Sequence, residues 1–300
     1  MKLAVIIINW NNAGDTIACI RNVSSWQTVE SSIWVVDNNS GDGSGAAIGQ
    51  AYPEISLIRS KTNLGFSGAN NVAIRRAIEL GHDEILLLNN DAKISESNIT
   101  GLLKAFREDP ALAIAGPVLH ESTPSNAYFS IGGRNIARHY DTRILTAHKP
   151  AMSAPCVDVD YVPGTVALLR AKAVDSVGLF DERYFFSGEM ADLCMAVQRE
   201  GYRTAIVTSV MAEHDTSRAG ALRNTLYAYY NFRNRFLFVR KFDAYRWRLF
   251  WQFSCVLFVA SNLVRGRFAT ARAISLALWD STRGRFGNQN KRVLVGRSTI

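Results

Sequence analysis

The stretch LAVIIINWNN, residues 3–12, begins as a continuous apolar run and ends in polar residues. Residues 33–36, 55–59 and 85–88 repeat this plan, each as a short, mainly apolar run that leads into polar residues and turn formers. Apolar runs without alternation are typical of parallel strands that are buried on both faces. Because segments with helical spacing separate these runs, residues 1–120 predict a doubly wound, Rossmann-like α/β sheet flanked by helices.

The pattern becomes less regular after residue 110. A polar stretch between residues 121 and 153 predicts a hairpin or a mobile loop at the rim of the sheet. A helix is expected at about residues 188–200, and the sequence after residue 220 is typical of helices. Further strands are expected at residues 111–116, 157–162, 166–169 and 204–207.

Charge is divided unequally along the 300 residues, whose formal net charge is +8. Residues 1–217 contain 18 Lys and Arg against 24 Asp and Glu, whereas residues 218–300 contain 16 against 2. A hydrophobic content of 48% with 20% charged residues indicates a globular chain rather than a disordered one. We therefore expect a mildly acidic globular body at residues 1–217 and a basic helical tail at residues 218–300.

The cysteines and the N-terminus bear on the compartment. The apolar run after Lys2 ends in Asn without a small-residue cleavage site, which favours a first strand over a signal peptide. The cysteines lie far apart and form no CxxC pair or zinc-type spacing, so we expect reduced thiols and a cytoplasmic location. They are Cys19, Cys156, Cys194 and Cys255.

Polar residues follow three of the four expected parallel strands, as NWNN at residues 9–12, DNNSGDGS at 37–44 and NND at 89–91. Ligands of open parallel sheets bind beyond the carboxyl ends of the strands, although Asn, Asp and Gly also make ordinary turns there. Neither GxGxxG after the first strand nor GxxxxGK[ST] occurs, so a bound diphosphate would need a metal or basic side chains. Asp91 offers the oxygen ligand that Mg²⁺ or Mn²⁺ takes together with phosphates.

Five motifs occur together in a fixed order: VIIINWNN, VVDNNSGDGS, NLGFSGANN at residues 63–71, LLLNNDA, and GLFDERYFFSGEMADLCMAVQREGY at residues 178–202. They resemble glycosyltransferase family 2, in the branch of bacterial rhamnosyltransferase-like enzymes of cell-surface polysaccharide synthesis. The resemblance covers about residues 1–220 and implies a GT-A fold, a nucleotide-sugar donor, a divalent cation (Mg²⁺ or Mn²⁺) and an inverting sugar transfer. It divides the body into a nucleotide-sugar half at about residues 1–120 and an acceptor half at about residues 154–217.

The resemblance also implies roles for single residues. Asp91 and His214 would bind the metal, and Asp181 would position the acceptor. The family's acidic metal-binding motif reads Asn89-Asn90-Asp91 here and keeps one carboxylate. The residues that would bind the nucleotide and the donor sugar are Asn9, Asn11, Asp37, Asn63, Gly65, Asn71, Asn90 and Gly164.

The family's acceptor motif E-D-x-D-L reads Glu189-Met190-Ala191-Asp192-Leu193, so Met190 replaces the aspartate most often assigned as the catalytic base. Glu189 and Asp192 are three residues apart and share a helical face, so either can reach one acceptor hydroxyl. We favour Glu189 as the base that removes the hydroxyl proton, because it would project into the crevice from the helix start. Asp192 would then bind the acceptor or orient the site.

Three other interpretations stay open at this stage. Acidic residues also favour a helix N-terminus for electrostatic reasons alone. With Met190 in place of the base, the chain can be a catalytically impaired nucleotide-sugar-binding protein. A sugar nucleotidyltransferase would need a glycine-rich, basic loop after the first strand, and NWNNAGD lacks one.

The basic tail interleaves cations with aromatic residues. This composition suits a nucleic-acid groove or a helix in the membrane interface. The apolar residues 249–264, flanked by arginines, favour the interface, because cations are attracted to anionic lipid. The mixed segment contains Arg233, Arg235, Arg240, Lys241, Arg246 and Arg248 among Tyr229, Phe232, Phe236, Tyr245, Trp247 and Trp251.

The apolar stretch is shorter than the roughly 20 residues of a membrane span. We therefore expect a protein on the inner face of the cell membrane, bound to its anionic surface and not to nucleic acid, with a glycan or lipid-linked acceptor. Association of copies into a homo-oligomer through these helices is the alternative. Removal of the tail should release the protein from lipid before it weakens donor binding.

Overall fold

The computed structural model describes residues 3–122, 127–149, 154–215, 221–242 and 245–294. The strands are β1 (Leu3–Asn9), β2 (Ser31–Asp37), β3 (Ser56–Arg59), β4 (Glu84–Leu88), β5 (Ala92–Lys93), β6 (Leu112–Ser122), β7 (Ala127–Gly133), β8 (Arg143–Thr146), β9 (Cys156–Asp158), β10 (Val166–Arg170) and β11 (Arg203–Asp215). The helices are α1 (Ala13–Ser24), α2 (Ser44–Ala51), α3 (Gly65–Glu79), α4 (Glu96–Glu108), α5 (Ala171–Ser176), α6 (Glu189–Arg199), α7 (Ala221–Lys241), α8 (Tyr245–Val264), α9 (Phe268–Thr282) and α10 (Asn290–Val293).

The described strands form one mixed sheet in the order β3-β2-β1-β4-β10-β6-β11-β5, with β7, β8 and β9 joined to its second half. In the first half β1 pairs in parallel with β2 and β4, and β2 with β3. One apolar core packs α1, α2 and α4 on one face, and a second packs α3, α5 and α6 on the other. Both faces of β1 are buried, which explains its run without alternation and confirms the predicted α/β class.

The second half differs from the prediction in strand length. β6 and β11 pair in parallel well beyond residues 116 and 207, with a register shift between Val207 and Met211. The continuation of β11 alternates buried with more exposed residues and ends in Glu213, His214 and Asp215, so it lacks the continuous apolar run of a core strand. The expected strand at residues 157–162 is only Cys156–Asp158. The hairpin alternative is confirmed by the antiparallel pairing of β6, β7 and β8; residues 123–126 and 150–153 lie outside the described part.

The tail packs against the body through a third apolar core. This core joins residues of α7, α8 and α9 to Tyr184, Phe185 and Ala191 of the body. Arg233 and Arg235 of α7 are 0% and 3% exposed, so the prediction that these cations face lipid is wrong for both. Their guanidinium groups donate instead to backbone carbonyls of the body, an arrangement that suits a planar group with five donors.

Helix α8 presents its other face to solvent. Among the residues that the structure describes it is the one helix long and apolar enough to cross a membrane, and 22% of its most apolar window is buried. Core helices of soluble proteins also meet this criterion. The helix has 20 residues, four more than the apolar stretch 249–264, because it starts at Tyr245. Its large exposed apolar side chains are Tyr245, Leu249, Phe250, Phe253, Val256, Leu257, Leu263 and Val264.

Candidate functional site

A cavity of about 370 Å³ opens at the carboxyl ends of β1 and β4. Strand ends and the start of α3 form one side, and the segment before α6 together with the tail forms the other. Tyr230 and Leu226 of α7 and Asn290 of α10 belong to the lining, so the tail completes this cavity. The other lining residues are Ile8, Trp10, Asn12, Asn38, Asn63, Gly65, Phe66, Asn89, Asn90, Asp91, Phe185 and Phe186.

Asn9 and Asp37 lie together beneath this cavity. The Asn9 amide is fully buried and donates to Asp37 Oδ1 at 3.0 Å and to Ser44 Oγ at 2.8 Å. Its Oδ1 accepts a hydrogen bond from Thr16 at 2.8 Å. The predicted nucleotide contact of Asn9 is therefore replaced by internal hydrogen bonds that fix the ends of β1 and β2. Asp37 keeps its Oδ2 near Gly45, where a Cβ would lie only 2.2 Å from that oxygen.

Asn11 joins the same two strand ends at the surface. Its backbone is left-handed, with φ of 53°. Its Oδ1 accepts a hydrogen bond from the Gly41 N–H at 2.8 Å, and its own N–H donates to Ser40 Oγ at 2.9 Å. Asn tolerates this conformation better than most residues, so Asn11 shapes the turn while its amide nitrogen stays on the exposed side.

The predicted donor residues Asn63 and Gly65 both line the cavity. Asn63 Oδ1 accepts from the Gly65 N–H at 2.9 Å and from Asn38 Nδ2 at 3.2 Å. Gly65 has φ of +70°, and a Cβ there would lie 2.2 Å from the carbonyl oxygen of Phe185. Asn38, which the sequence pattern does not single out, holds this loop by accepting the Leu64 N–H at 2.8 Å; its only sequence signal is its place in VVDNNS.

Asn71 does not reach the cavity. Its buried amide donates to Phe180 O and to Glu182 Oε1, both at 2.9 Å, and accepts the Phe180 N–H at 3.0 Å. This pairing uses both ends of the side chain to fasten α3 to the segment before α6. The donor contact expected for Asn71 is therefore corrected to a contact within the protein.

The predicted metal ligands Asp91 and His214 lie together. Asp91 Oδ1 is 3.5 Å from His214 Nε2, because β11 pairs with β5 at His214 and Ala92. Asp91 Oδ1 and His214 Nδ1 are buried without a hydrogen-bond partner among the described residues. Beside them, Asn90 lines the cavity and donates to Thr16 Oγ1 at 3.0 Å.

His214 Nδ1 is turned toward Glu121, whose Oε2 lies 4.0 Å away, so Nε2 is the nitrogen that faces Asp91. The Asp91 carboxylate and this imidazole nitrogen fit a divalent cation that completes its shell with phosphate oxygens. The described residues contain no cluster of three or more His, Cys, Asp and Glu arranged for a metal. Asp91 and His214 would thus be the two protein ligands, and the remainder would come from the bound diphosphate and water.

Glu189 is the first residue of α6 and follows Gly188, whose φ is +89°. Its Oε2 is buried and has no hydrogen-bond partner in the described part of the chain. Glu189 is not among the described residues that line the cavity, so its carboxyl lies beside the cavity, behind Phe185 and Phe186 in the chain, and does not project into it as expected. Burial raises the pKa of the Glu189 carboxyl to about 7. A carboxyl with a pKa near neutrality can take up a proton at physiological pH, as a general base requires.

Met190, which stands at the usual base position, packs away from the solvent. A Cβ on Gly164 would lie 3.0 Å from Met190 Cγ and 2.8 Å from Phe66 Cζ. Gly164 therefore makes room for these two side chains, and it is not among the cavity-lining residues in the described chain. This corrects the direct donor contact expected for Gly164.

Asp192 is directed toward the tail. It is 1% exposed, and its Oδ2 accepts a hydrogen bond from Lys241 Nζ at 2.6 Å. Burial raises its pKa, against the opposing charge of Lys241. The expectation that Asp192 reaches the acceptor alongside Glu189 is corrected, because an enclosed, ion-paired carboxylate holds α7 on α6 instead.

Asp181 takes part in the same charge cluster. Burial acts to raise its pKa, but hydrogen bonds from Arg183 and the charge of Lys241 hold the pKa below its usual value. Arg183 Nη2 lies 2.6 Å and Lys241 Nζ 3.5 Å from Asp181 Oδ2. Asp181 therefore has cationic partners within the protein, which the sequence alone does not indicate.

The comparisons with known proteins agree with this geometry. The family model described as Glycosyl transferase family 2 matches residues 4–178. The low-salt glycan biosynthesis hexosyltransferase Agl10 of Haloferax volcanii is 27% identical over 78% of this chain and 74% of its own. The N-acetylglucosaminyl-diphospho-decaprenol L-rhamnosyltransferase of Mycobacterium tuberculosis is 25% identical over 82% of this chain and 88% of its own.

Solved structures with low sequence identity share the fold. The mannosyltransferase PcManGT of Pyrobaculum calidifontis, in complex with GDP-Man and Mn²⁺, aligns with a TM-score of 0.59 at 14% identity and covers 94% of this chain and 87% of its own. GalNAc-T7 with UDP, GalNAc and Mn²⁺ aligns with a TM-score of 0.62 at 13% identity; 80% of this chain matches 48% of that longer one. These likenesses confirm the GT-A fold.

Proposed function

The chain belongs to glycosyl transferase family 2, and on this premise we propose that it transfers a sugar, with rhamnose as the first candidate, from a nucleotide diphosphate to a lipid-linked glycan. Glycosyltransferase activity in glycan synthesis is common to its curated relatives. The dTDP-rhamnosyl transferase RfbF of Shigella flexneri, 22% identical over 63% of this chain and 64% of its own, supports rhamnose and its dTDP donor.

One observation carries the proposal. A single cavity is bordered by the strand-end residues Asn89 to Asp91 and by the segment that leads directly into Glu189. A diphosphate at the strand ends would place its sugar toward that segment. The two sides have the chemistry that a displacement at a sugar carbon needs: polar groups for the leaving diphosphate and a carboxyl that accepts a proton.

We propose an inverting, single displacement. Glu189 takes the proton of the acceptor hydroxyl, whose oxygen forms a bond to the anomeric carbon while the bond from that carbon to the diphosphate oxygen breaks. The nucleoside diphosphate leaves with the electron pair of the broken bond. A Mg²⁺ or Mn²⁺ ion held by Asp91 and His214 would offset the charge on the departing diphosphate.

We also propose that the protein acts at the inner, cytoplasmic face of the membrane, where a lipid-linked acceptor is within reach. The exposed apolar face of α8 supports this location. Arg246 and Arg248 near its start, and Arg265 and Arg267 beyond its end, are exposed and suit anionic lipid rather than nucleic acid.

The decisive experiment measures transfer by the full chain. dTDP-rhamnose is supplied with N-acetylglucosaminyl-diphospho-decaprenol and Mn²⁺, and UDP- and GDP-sugars serve as alternative donors. We expect a glycosylated lipid of inverted anomeric configuration, and a loss of about 10²- to 10⁴-fold in rate for Glu189→Gln. Tight donor binding without transfer to any acceptor would instead support the catalytically impaired nucleotide-sugar-binding protein.

A further inference from the structure

The segment that leads into Glu189 has an unusual backbone. Phe185 and Ser187 have φ of 61° and 69°, and Gly188 has φ of 89°. Side chains other than glycine rarely adopt the left-handed region, so two of these three residues are strained. Such a conformation persists only where surrounding groups fix it. The direction in which α6 starts, and with it the position of Glu189, depends on those groups.

Asn234 of α7 is the main external partner of this segment. It is 1% exposed, and its Nδ2 donates to the carbonyl oxygens of Tyr184 at 3.0 Å and Phe186 at 2.8 Å, and to that of Ser187. An amide nitrogen has only two hydrogens, so the three carbonyls share them. One side chain of the tail thereby holds three of the four carbonyl groups between residues 184 and 187.

Arg233 fixes the direction of this amide. Its Nε and Nη2 donate to Asn234 Oδ1 at 2.9 Å and 2.7 Å. A guanidinium carries donors only, so the oxygen of the amide must face it and the nitrogen must face the carbonyls. Arg233 also donates to Tyr184 O at 2.9 Å and lies over the ring of Tyr230 at 4.7 Å.

We propose that Asn234, oriented by Arg233, is a positioning residue that sets the place of the Glu189 carboxyl at the start of α6, next to the cavity-lining residues Phe185 and Phe186. The inference rests on the proposed function, in which Glu189 is the base. It assigns to the tail a part in the chemical step that is separate from any role at the membrane.

Arg235 provides a matched control on the same helix. It is 3% exposed and donates to Ile136 O and Tyr140 O, each at 2.7 Å. It therefore binds backbone carbonyls as Arg233 does, but those of a different segment. Arg235→Lys and the Asn234 variants all lose packing and buried hydrogen bonds of α7. Only the Asn234 variants should also displace Glu189.

The first measurement needs no substrate. The ionisation of Glu189 is followed by isotope-edited infrared or carboxyl NMR spectroscopy in the full chain, with Glu189→Gln to assign the signal. In Asn234→Ala and Asn234→Leu, which remove the amide without adding charge, we expect the pKa to fall from about 7 toward the ordinary value of about 4.3, because the loosened segment admits water. Arg235→Lys should leave the pKa unchanged. An unchanged pKa in both Asn234 variants would overturn the proposal, whether or not the protein proves to be a transferase.

The second measurement is a double-mutant cycle on the rate of transfer from dTDP-rhamnose. Asn234→Asp should lower kcat by about 100-fold with little change in donor Kd. In the Glu189→Gln background the same change should cost almost nothing, because the base is already absent. Independent, multiplicative losses would contradict the proposal, as would Asn234 variants that fail to fold while Arg235→Lys folds, since Asn234 would then serve the fold.

Discussion

Helices α7 and α8 are neighbours in one basic, aromatic tail, yet they use the same composition in opposite ways. In α7 the arginines at 233 and 235 point inward and bind carbonyls of the body. In α8 the arginines at 246 and 248 are exposed beside an exposed apolar face. Net charge and residue type are therefore insufficient to locate a surface contact, because the sequence does not distinguish a buried arginine from an exposed one.

The largest expected effect comes from removing the whole tail, helices α7 to α10. A chain ending at residue 217 should lose donor binding together with its fold, because Tyr184 would become exposed and the cavity would lose Leu226 and Tyr230. This reverses the expectation from sequence that lipid release precedes any loss of donor binding. Titration with dTDP, together with circular dichroism, tests it. Normal donor binding by the shortened chain would show that the donor site does not need α7.

The next largest difference is expected in stability, when a single arginine of α7 and of α8 is replaced by alanine. Arg233→Ala removes the hydrogen-bond donors of Gly287 O and of Asn234 Oδ1 and empties the space of a fully buried side chain. We expect the free energy of unfolding to fall by at least about 3 kcal/mol. The matched change Arg246→Ala on α8 should alter it by less than about 0.5 kcal/mol, because that side chain is exposed. Urea unfolding of both variants measures these changes. Similar losses in the free energy of unfolding would show that the arginines of α7 and α8 do not differ in their contribution to stability.

The buried Glu189 carboxyl, in the part of the body next to α7, should make the free energy of unfolding depend on pH. The pKa of Glu189 is about 7 in the folded chain and near 4.3 when unfolded, so the folded state binds the proton more tightly. The stabilisation is complete below about pH 4.3 and is lost as pH rises toward 7, with a magnitude on the order of 3 kcal/mol. Glu189→Gln should remove this slope in unfolding measurements between pH 4 and pH 8. A variant on α8, such as Arg248→Ala, should keep it.

Substitutions in α8 should have the smallest effect on stability and the largest effect on binding to lipid vesicles. Leu257→Glu should weaken binding to phosphatidylglycerol vesicles by about 10-fold or more, since a buried leucine contributes roughly 1.5–3 kcal/mol. Arg248→Ala should weaken it by about 1 kcal/mol. Vesicle flotation measures both, and transfer to a water-soluble acceptor should not change. If Leu257→Glu instead converts a dimer to a monomer, the apolar face joins two copies of the chain.

The sequence predicts the first half of the sheet well, because β1 and β4 are buried on both faces and show it as continuous apolar runs. The resemblance to the family, and not a local pattern, points to Asn63 and Gly65, and both line the cavity. The sequence pattern does not predict the end of β11, where His214 lies, because the residues there alternate between buried and exposed and end in polar side chains, so they form no continuous apolar run. The resemblance to the family supplied that histidine.

Contacts between distant segments explain what the sequence could not show. Asn71 has the residue type of a ligand contact, but the Phe180 backbone occupies both ends of its amide. Asp192 was placed correctly on the face of α6, yet only the position of Lys241 shows that this carboxylate is enclosed. In both cases the partner comes from another part of the chain, and no local pattern encodes it.

The hydrogen bond from the Phe66 N–H to the Phe185 carbonyl, 2.8 Å long beside Gly65, joins the two sides of the cavity backbone to backbone. A Cβ at position 65 would strike that same carbonyl. Position 65 is therefore restricted to glycine by a residue of the opposite side of the cavity. A displacement of either side of the cavity therefore displaces the other at this point, because the two backbones are joined directly.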